Sequence, residues 1–354
     1  MKHLNQLFLS IALTICFFDS YAQTYQGPES VDYYPANNCY YIGNTNSNLI
    51  LKRSPNGTLS TFVSLSNAPY GIEIVDSILY ACVGGGVRAF NLNTGVSVFN
   101  QPMGASFLNG ITHDNSGNLY VTDFSAKKVY RLNRFTQQYN VFVNNTVETP
   151  NGIVYDEYDG INPRLVYACW GSGAKVKAIN LADSTQTTLV TTTLGNIDGI
   201  AKGNGGYFYL ASWTPDVITR YDSTFTAGTG VTVVSGLNSP ADIYYNLQTD
   251  TLAVPNSGNN TVTFHHFLIT GEKDMEAATK LSFVAGPQSL MFSEPSAQTL
   301  QIEIFALDGK RCFSGQLLAG SREVSLPNLQ AGQYLVRMLD QKGSQHTGKF
   351  TITP

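Results

Sequence analysis

The sequence predicts an all-β chain, most of it assembled from radially repeated antiparallel sheets, and three observations lead there. The first is composition: of 354 residues 43% are hydrophobic but only 13% are charged, about half the ~25% of an ordinary globular chain. Gly (32), Tyr (20) and Phe (19) are abundant instead. The second is pattern: short runs of Val, Ile, Tyr and Phe are punctuated by Gly, Asn, Asp and Ser, and none shows the 3.6-residue apolar period of a helix. The third is internal similarity. Pro28-Glu29-Ser30-Val31, Pro69-Tyr70-Gly71-Ile72, Leu108-Asn109-Gly110-Ile111, Pro150-Asn151-Gly152-Ile153, Ile197-Asp198-Gly199-Ile200 and Pro240-Ala241-Asp242-Ile243 recur at spacings of 41, 39, 42, 47 and 43 residues.

The elements follow in chain order. Residues 1–22 read as a signal peptide, because Lys2 precedes an apolar run from Leu7 to Phe18 and the small-residue site Ser20-Tyr21-Ala22. Cleavage is expected before Gln23. No other segment approaches the ~20 apolar residues of a membrane span, so the expected location is secreted or at the cell surface. Residues 23–268 hold the six repeats. In the third, Gly110–Asp114 is predicted as a strand, Asn115–Asn118 as a turn, and Leu119–Thr122, Lys128–Leu132 and Tyr139–Val143 as three more strands. Four short strands per ~40 to 45 residues, repeated around an axis, define a propeller blade, so the prediction is a six-bladed β-propeller. The sixth unit, Asp242 to Phe267, shows three clear strands, and either Gln23–Gly27 or Leu281–Val284 could supply its fourth.

Residues 269–280 are polar and read as a linker. Residues 281–354 read as a small β-sandwich-like domain, with Leu300, Ile302 and Ile304 alternating with Gln301 and Glu303, a turn at Asp308-Gly309, a hairpin from Gly332 to Leu339 and a last strand at Gly348–Thr353. This domain resembles the C-terminal sorting domain of Bacteroidetes type IX secretion. Ala331-Gly332-Gln333-Tyr334-Leu335-Val336-Arg337 is its best match, and Pro295 keeps part of the family's opening motif. The resemblance implies the type IX secretion machinery as a partner and an export address across the outer membrane.

The net charge is −4 and no Lys/Arg stripe occurs, so a nucleic-acid partner is excluded. Cys39, Cys82, Cys169 and Cys312 lack metal or redox spacing and read as free buried thiols. There is no Gly-x-Ser-x-Gly elbow, and Gly84-Gly85-Gly86 is a turn between strands rather than a phosphate loop. His113 is expected to face the blade interior, and His265 and His266 the surface. Trp170 and Trp213, after the second strands of neighbouring blades, either stack on a ring-shaped ligand or pack blade to blade.

Equivalent residues at the start of each innermost strand should form a ring about the channel axis: Glu29, Tyr70, Asn109, Asn151, Asp198 and Ala241. Four of these six are oxygen donors. Two carboxylates and two amides converging on one point suit a hard divalent cation, Ca²⁺ first, with Zn²⁺, Mn²⁺ or Mg²⁺ as alternatives. Taken singly, Asn or Asp before Gly is an ordinary turn signal. The pattern resembles the regucalcin/gluconolactonase family of six-bladed, NHL-repeat-like propellers, over about residues 24 to 268. That resemblance implies Glu29, Asn151 and Asp198 as metal ligands, Asp198 also as general base, Asn109 near the substrate, and hydrolysis of a lactone or similar cyclic ester as the activity. Two departures stand out: Ser30-Val31 follows Glu29 where the family commonly has Gly-Pro, and Phe107 stands where an Arg often grips the substrate. The second expectation is therefore a non-catalytic propeller displayed outside the cell. Tyr70, Phe107, Trp170 and Trp213 would give it an aromatic surface for a small sugar-like or other ligand.

Overall fold

A computed structural model of the chain describes residues 23–158, 162–267, 283–286, 288–292, 294–306, 310–339 and 345–352. The signal segment, the linker and the Asp308-Gly309 turn lie outside the described residues. The chain divides into two compact units, Met1–Phe267 and Leu268–Pro354. Both are all-β; the helical turns among the described residues are two three-residue 3-10 segments, Pro35–Asn37 and Asn204–Gly206. Among the described residues no helix is long and apolar enough to cross a membrane.

The first unit contains six antiparallel sheets among its described residues, five of four strands and one of three. In the third sheet the strands are Leu108–His113, Asn118–Asp123, Lys128–Asn133 and Tyr139–Val143, within two residues of the sequence expectation. The first strands of successive sheets touch one another, and the sixth sheet returns to the first strand of the first. This is a closed, propeller-type ring.

Each sheet is sandwiched between two others, and that explains the composition. In Asn118–Asp123, Leu119 and Val121 pack with the second sheet while Tyr120, between them, packs with the fourth. Successive residues face opposite neighbours because strand side chains alternate. Both faces are apolar, so the second strands read as hydrophobic runs such as Ile78–Val83 and, after its first residue, Arg164–Trp170. Every pair of neighbouring sheets has its own buried cluster. The closing interface, between sheets six and one, is the smallest: Val31, Ile42 and Ala253 are buried there, with Tyr25, Tyr40, Tyr244, Val262 and Phe264 packed around them. Cys39, Cys82 and Cys169 are buried free thiols, whereas Cys312 is only half-buried.

At the axis the backbones nearly touch. A Cβ on Gly110 would lie 2.6 Å from the Asn151 carbonyl oxygen, one on Gly152 2.7 Å from that of Asp198, and one on Gly199 2.5 Å from that of Ala241. The glycine after Tyr70, Asn109, Asn151 and Asp198 is therefore a packing requirement, and these four ring residues are in strands rather than in the turns that Asn-Gly and Asp-Gly suggest. Ser30 and Asp242 occupy the same position in the first and sixth units. Ser30 Oγ donates to the Tyr70 carbonyl, and the Asp242 N–H donates to the Glu29 carbonyl at 2.8 Å. The inner strands have no further strand on their axial side, and side chains take over some of their free N–H groups. Asp32 accepts from Ile74 N at 2.5 Å, and Thr112 accepts from Tyr155 N at 3.1 Å.

Among the described residues neither candidate segment becomes a fourth strand of the sixth sheet. Gly27 and Gln26 accept from Thr45 and Asn46 at 2.9 and 3.2 Å, so this segment lies along the hairpin of the first sheet. Gly27 N also reaches Asn260 Oδ1 at 2.6 Å, tying that sheet to the sixth. Residues 281 and 282 are outside the described residues, and Phe283–Ala285 pairs with Ser289–Phe292 in the second unit.

In the second unit a three-stranded and a four-stranded sheet share one core, in which Leu300, Ile302, Ile304, Val336, Met338 and Ile352 are buried. On the other face of Leu300–Ala306, Glu303 accepts from Arg311 at 2.9 Å and Arg337 at 2.8 Å.

The axial contacts make a direct prediction. Gly152→Ala should destabilise the protein by roughly 1–3 kcal/mol or more, because its Cβ meets backbone that cannot step aside. Gly95→Ala, with nothing within 4 Å of its Cβ but a φ of +72°, should cost only the backbone strain of roughly 1–2 kcal/mol. Urea melts of both variants check the order.

Candidate functional site

The residue before each close-approach position lies where the inner strands converge on the axis, a place called the channel mouth below. Glu29, Tyr70, Asn109, Asn151 and Asp198 belong to the inner strands Pro28–Tyr34, Pro69–Val75, Leu108–His113, Thr149–Asp156 and Gly195–Lys202. Asn109, Asn151 and Asp198 are 5%, 2% and 2% exposed, and Glu29 is half-buried. Thr122 helps to seat Asn151: its hydroxyl donates to the Asn151 carbonyl and accepts from Gly110 N, both at 2.8 Å. Ala241 is fully buried and contributes no donor oxygen from its side chain.

These groups share one electrostatic environment. Burial, and then the charges of Asp198 and Asp242, hold the Glu29 carboxyl well above the usual carboxylate range. Burial raises Asp198 to about 7, although the neighbouring Asn151 amide and Trp213 indole favour its ionised form. Asp242 is likewise raised, by burial and by Asp198 and Glu73. Further along, Asp32 is raised by burial and by Glu73, against the pull of its two backbone donors. None of Glu29, Asp32, Asp198 and Asp242 has an ion pair with Lys or Arg among the described residues.

Among the other buried acids, Asp114 and Asp123 are held by several hydrogen bonds each, and Asp156 is held by cations. Asp156, 2% exposed, binds Lys202 Nζ at 2.7 Å and Arg164 Nε at 2.8 Å; burial opposes its charge, but these two cations lower its pKa. Asp32 and Asp198 therefore differ from Asp156 in partner, not in burial. Two acceptor atoms at the mouth also lack any hydrogen-bond donor, Asn151 Oδ1 and Asp198 Oδ1. A buried acceptor left unpaired costs ~1–3 kcal/mol, more if charged. Among the described residues no group of three or more His, Cys, Asp or Glu side chains is arranged to hold a metal; the sequence-predicted set is a mixed one, two carboxylates and an amide.

Aromatic rings flank these oxygens. Tyr70, Phe107, Trp170 and Trp213 are all half-buried, and Phe124 completes a continuous series. Neighbouring centroids are 4.6 Å apart for Tyr70–Phe107, 5.5 Å for Phe107–Phe124, 5.9 Å for Phe124–Trp170 and 5.0 Å for Trp170–Trp213. The two tryptophans thus pack on each other across sheets four and five while remaining partly open to solvent.

Sequence reasoning missed Asp242, Asp32, Glu73 and Phe124. For Asp242 a signal was present, since it replaces the glycine of the repeat. His113 does not face an apolar interior: its Nδ1 lies 2.5 Å from Glu73 Oε1 and its side chain is 36% exposed. Burial opposes its charge, but Glu73 outweighs burial and raises its pKa. His265 and His266 bond to Thr263 and Thr251 on the sixth sheet, away from the mouth.

No protein-family model matches the chain, and no curated protein matches it in sequence. Solved structures do match its fold. A gluconolactonase from Xanthomonas campestris aligns over 69% of this chain and 87% of its own at 14% identity, with a TM-score of 0.58. Regucalcin from Agrobacterium tumefaciens, described as a calcium-binding protein, aligns over 66% and 83% at 16% identity, TM-score 0.54. Hydrazine synthase from Kuenenia stuttgartiensis aligns over 72% and 99% at 12% identity, TM-score 0.55. At such identities the likeness is one of fold: the chain is a β-propeller protein.

The acid cluster fixes how stability depends on pH. Glu29, Asp32, Asp198, Asp242 and His113 all have raised folded pKa values, so the folded state binds more protons than the unfolded one near neutrality. Stability then falls as pH rises. In chelator, the melting temperature of the first transition should drop between about pH 5 and 8, the range set by ordinary carboxylate and histidine values and by Asp198 at about 7. Asp198→Asn should flatten that slope, which differential scanning calorimetry across the range would show.

Proposed function

We propose that the channel mouth holds a divalent cation, Ca²⁺ first among the candidates, and that the protein is a metal-dependent hydrolase of lactones or related esters. The observation that carries this reading is the pair of buried, donorless oxygens, Asn151 Oδ1 and Asp198 Oδ1, in a channel whose acids have no Lys or Arg partner. A hard cation takes oxygen ligands and removes both penalties at once. Glu29, Asn151 and Asp198 are the ligands in this reading. When bound, the ion supplies Lewis-acid polarisation of an ester carbonyl. Asp198 is also the general base in this reading, accepting a proton from attacking water. Asn109 positions the substrate's polar atoms, and the aromatic rings shield the reacting group from bulk water. The likeness to a calcium-binding regucalcin and to a gluconolactonase agrees with this reading at the level of fold.

A second reading, non-catalytic capture of a small ligand, is favoured by Phe107: an aromatic ring stands where a substrate-gripping Arg would be expected. In either case we propose export, with residues 1–22 as signal peptide and the second unit as a sorting domain for type IX secretion, outside the cell or on its surface.

In calcium at a hundredfold excess over Kd the folded state should gain about 2.7 kcal/mol, seen as a rise in melting temperature that EDTA reverses and Glu29→Gln largely removes. Identical melts in both buffers, with no metal by elemental analysis, would overturn the cation reading. With metal bound, a lactone panel separates the two functions: Asp198→Asn should lower hydrolysis by at least a hundredfold for an enzyme, whereas no turnover by wild type leaves capture.

A further inference from the structure

Resting on the reading of the channel mouth as a ligand site, we infer that its substrate class is aryl lactones and aryl esters: a flat aromatic ring bearing an uncharged ester, rather than a polyhydroxylated acid or its lactone. Five aromatic side chains from four consecutive sheets form one uninterrupted wall. Every step along it is edge to face, with interplanar angles of 82°, 63°, 65° and 77°. Such contacts leave half-buried ring surface available to a further ring.

The wall is built rather than incidental. Asp123, fully buried, accepts from Ser106 N at 2.8 Å and Phe107 N at 3.1 Å, pinning the loop that carries Phe107. Phe124 N donates to the Phe107 carbonyl at 2.8 Å. Trp213 Nε1 donates to the Pro240 carbonyl at 3.1 Å. Rings held this way lose little entropy when a ligand docks.

Both ends of the wall meet the oxygen set. Tyr70 starts the inner strand of the second sheet as Glu29 starts that of the first, and Trp213 follows Ser212, which pairs with Ile197 next to Asp198. A ring seated on the wall would therefore present an attached ester group to Glu29, Asn151 and Asp198. Hydrogen bonding decides against a polyhydroxylated ligand. Phe107 and Phe124 carry no polar side-chain atom and Trp213 Nε1 already donates to the Pro240 carbonyl, so a sugar's hydroxyls would lose water there without gaining partners.

Equilibrium dialysis of coumarin, an aromatic lactone, and of gluconate against the mature chain, residues 23–354, tests this in calcium and in EDTA. Coumarin should bind at least tenfold more tightly than gluconate. Trp170→Ala and Phe124→Leu should each weaken coumarin about five- to tenfold, while Trp170→Phe should stay within about twofold of wild type. Phe124→Leu preserves apolar bulk, so it answers the question even where Trp170→Ala fails to fold. Gluconate binding as tightly as coumarin, or coumarin binding that ignores both wall substitutions, would overturn the inference. The two readings fail separately: coumarin bound without any calcium effect on melting removes the cation and leaves the aryl site, whereas calcium stabilisation without coumarin binding does the reverse.

Discussion

The closeness of the inner strands at the axis is the constraint on which the first unit depends. Where Gly71, Gly110, Gly152 and Gly199 lie, a Cβ would come between 2.1 and 2.7 Å from the carbonyl oxygen of the next inner strand. At that position four sheets have no side chain, Ser30 bonds to the neighbouring strand, and Asp242 makes its contact to Glu29 through the backbone. The residue just before is then brought to the channel mouth whatever its type. Backbone geometry thus concentrates six side chains in a small space, and chemistry enters by what those side chains are.

In this chain they are mostly acceptors. An all-apolar ring would be stable and inert, whereas Glu29, Asn109, Asn151 and Asp198, together with Asp242, place oxygen atoms where burial disfavours charge. The protein shows elsewhere that it can balance a buried acid, through Lys202 and Arg164 on Asp156 and through Lys175 and Lys177 on Glu148. Leaving the mouth without such partners sacrifices stability locally, the usual mark of a binding or catalytic site. The ring closes through its smallest apolar cluster, around Val31, Ile42 and Ala253, and the Asp242–Glu29 backbone bond and the Gly27–Asn260 contact add to that seam.

The aromatic wall and the acids are products of the same layout. Tyr70 is itself a ring residue, Phe107 lies two residues before one, and Phe124, Trp170 and Trp213 sit at or just beyond the far ends of the second strands. Inner-strand starts and second-strand ends are adjacent because the two strands are antiparallel. A mouth with rings on one side and oxygens within reach follows from that hairpin geometry.

Most of the fold was legible in the sequence, because it is repeated. One repeat phrase located the inner strands, and continuous apolar runs such as Ile78–Val83 reflected sheets buried on both faces. The oxygen-rich ring was legible for the same reason, since equivalent places in a repeat become neighbours about an axis. Tertiary structure alone decided the rest. The glycines of the repeat looked like turn residues, and only the distance to the next strand shows them to be packing requirements. Asp242 stands one place after the ring position of its unit, and only in the fold does its side chain join the acid cluster. Asp32 and Glu73 lie three residues beyond the ring positions, and their coupling depends on strands far apart in the chain. Phe124 gave no signal by type or spacing; it matters because it bridges Phe107 and Trp170. Which acids lack a cation cannot be read from composition, since that depends on where each Lys and Arg reaches after folding.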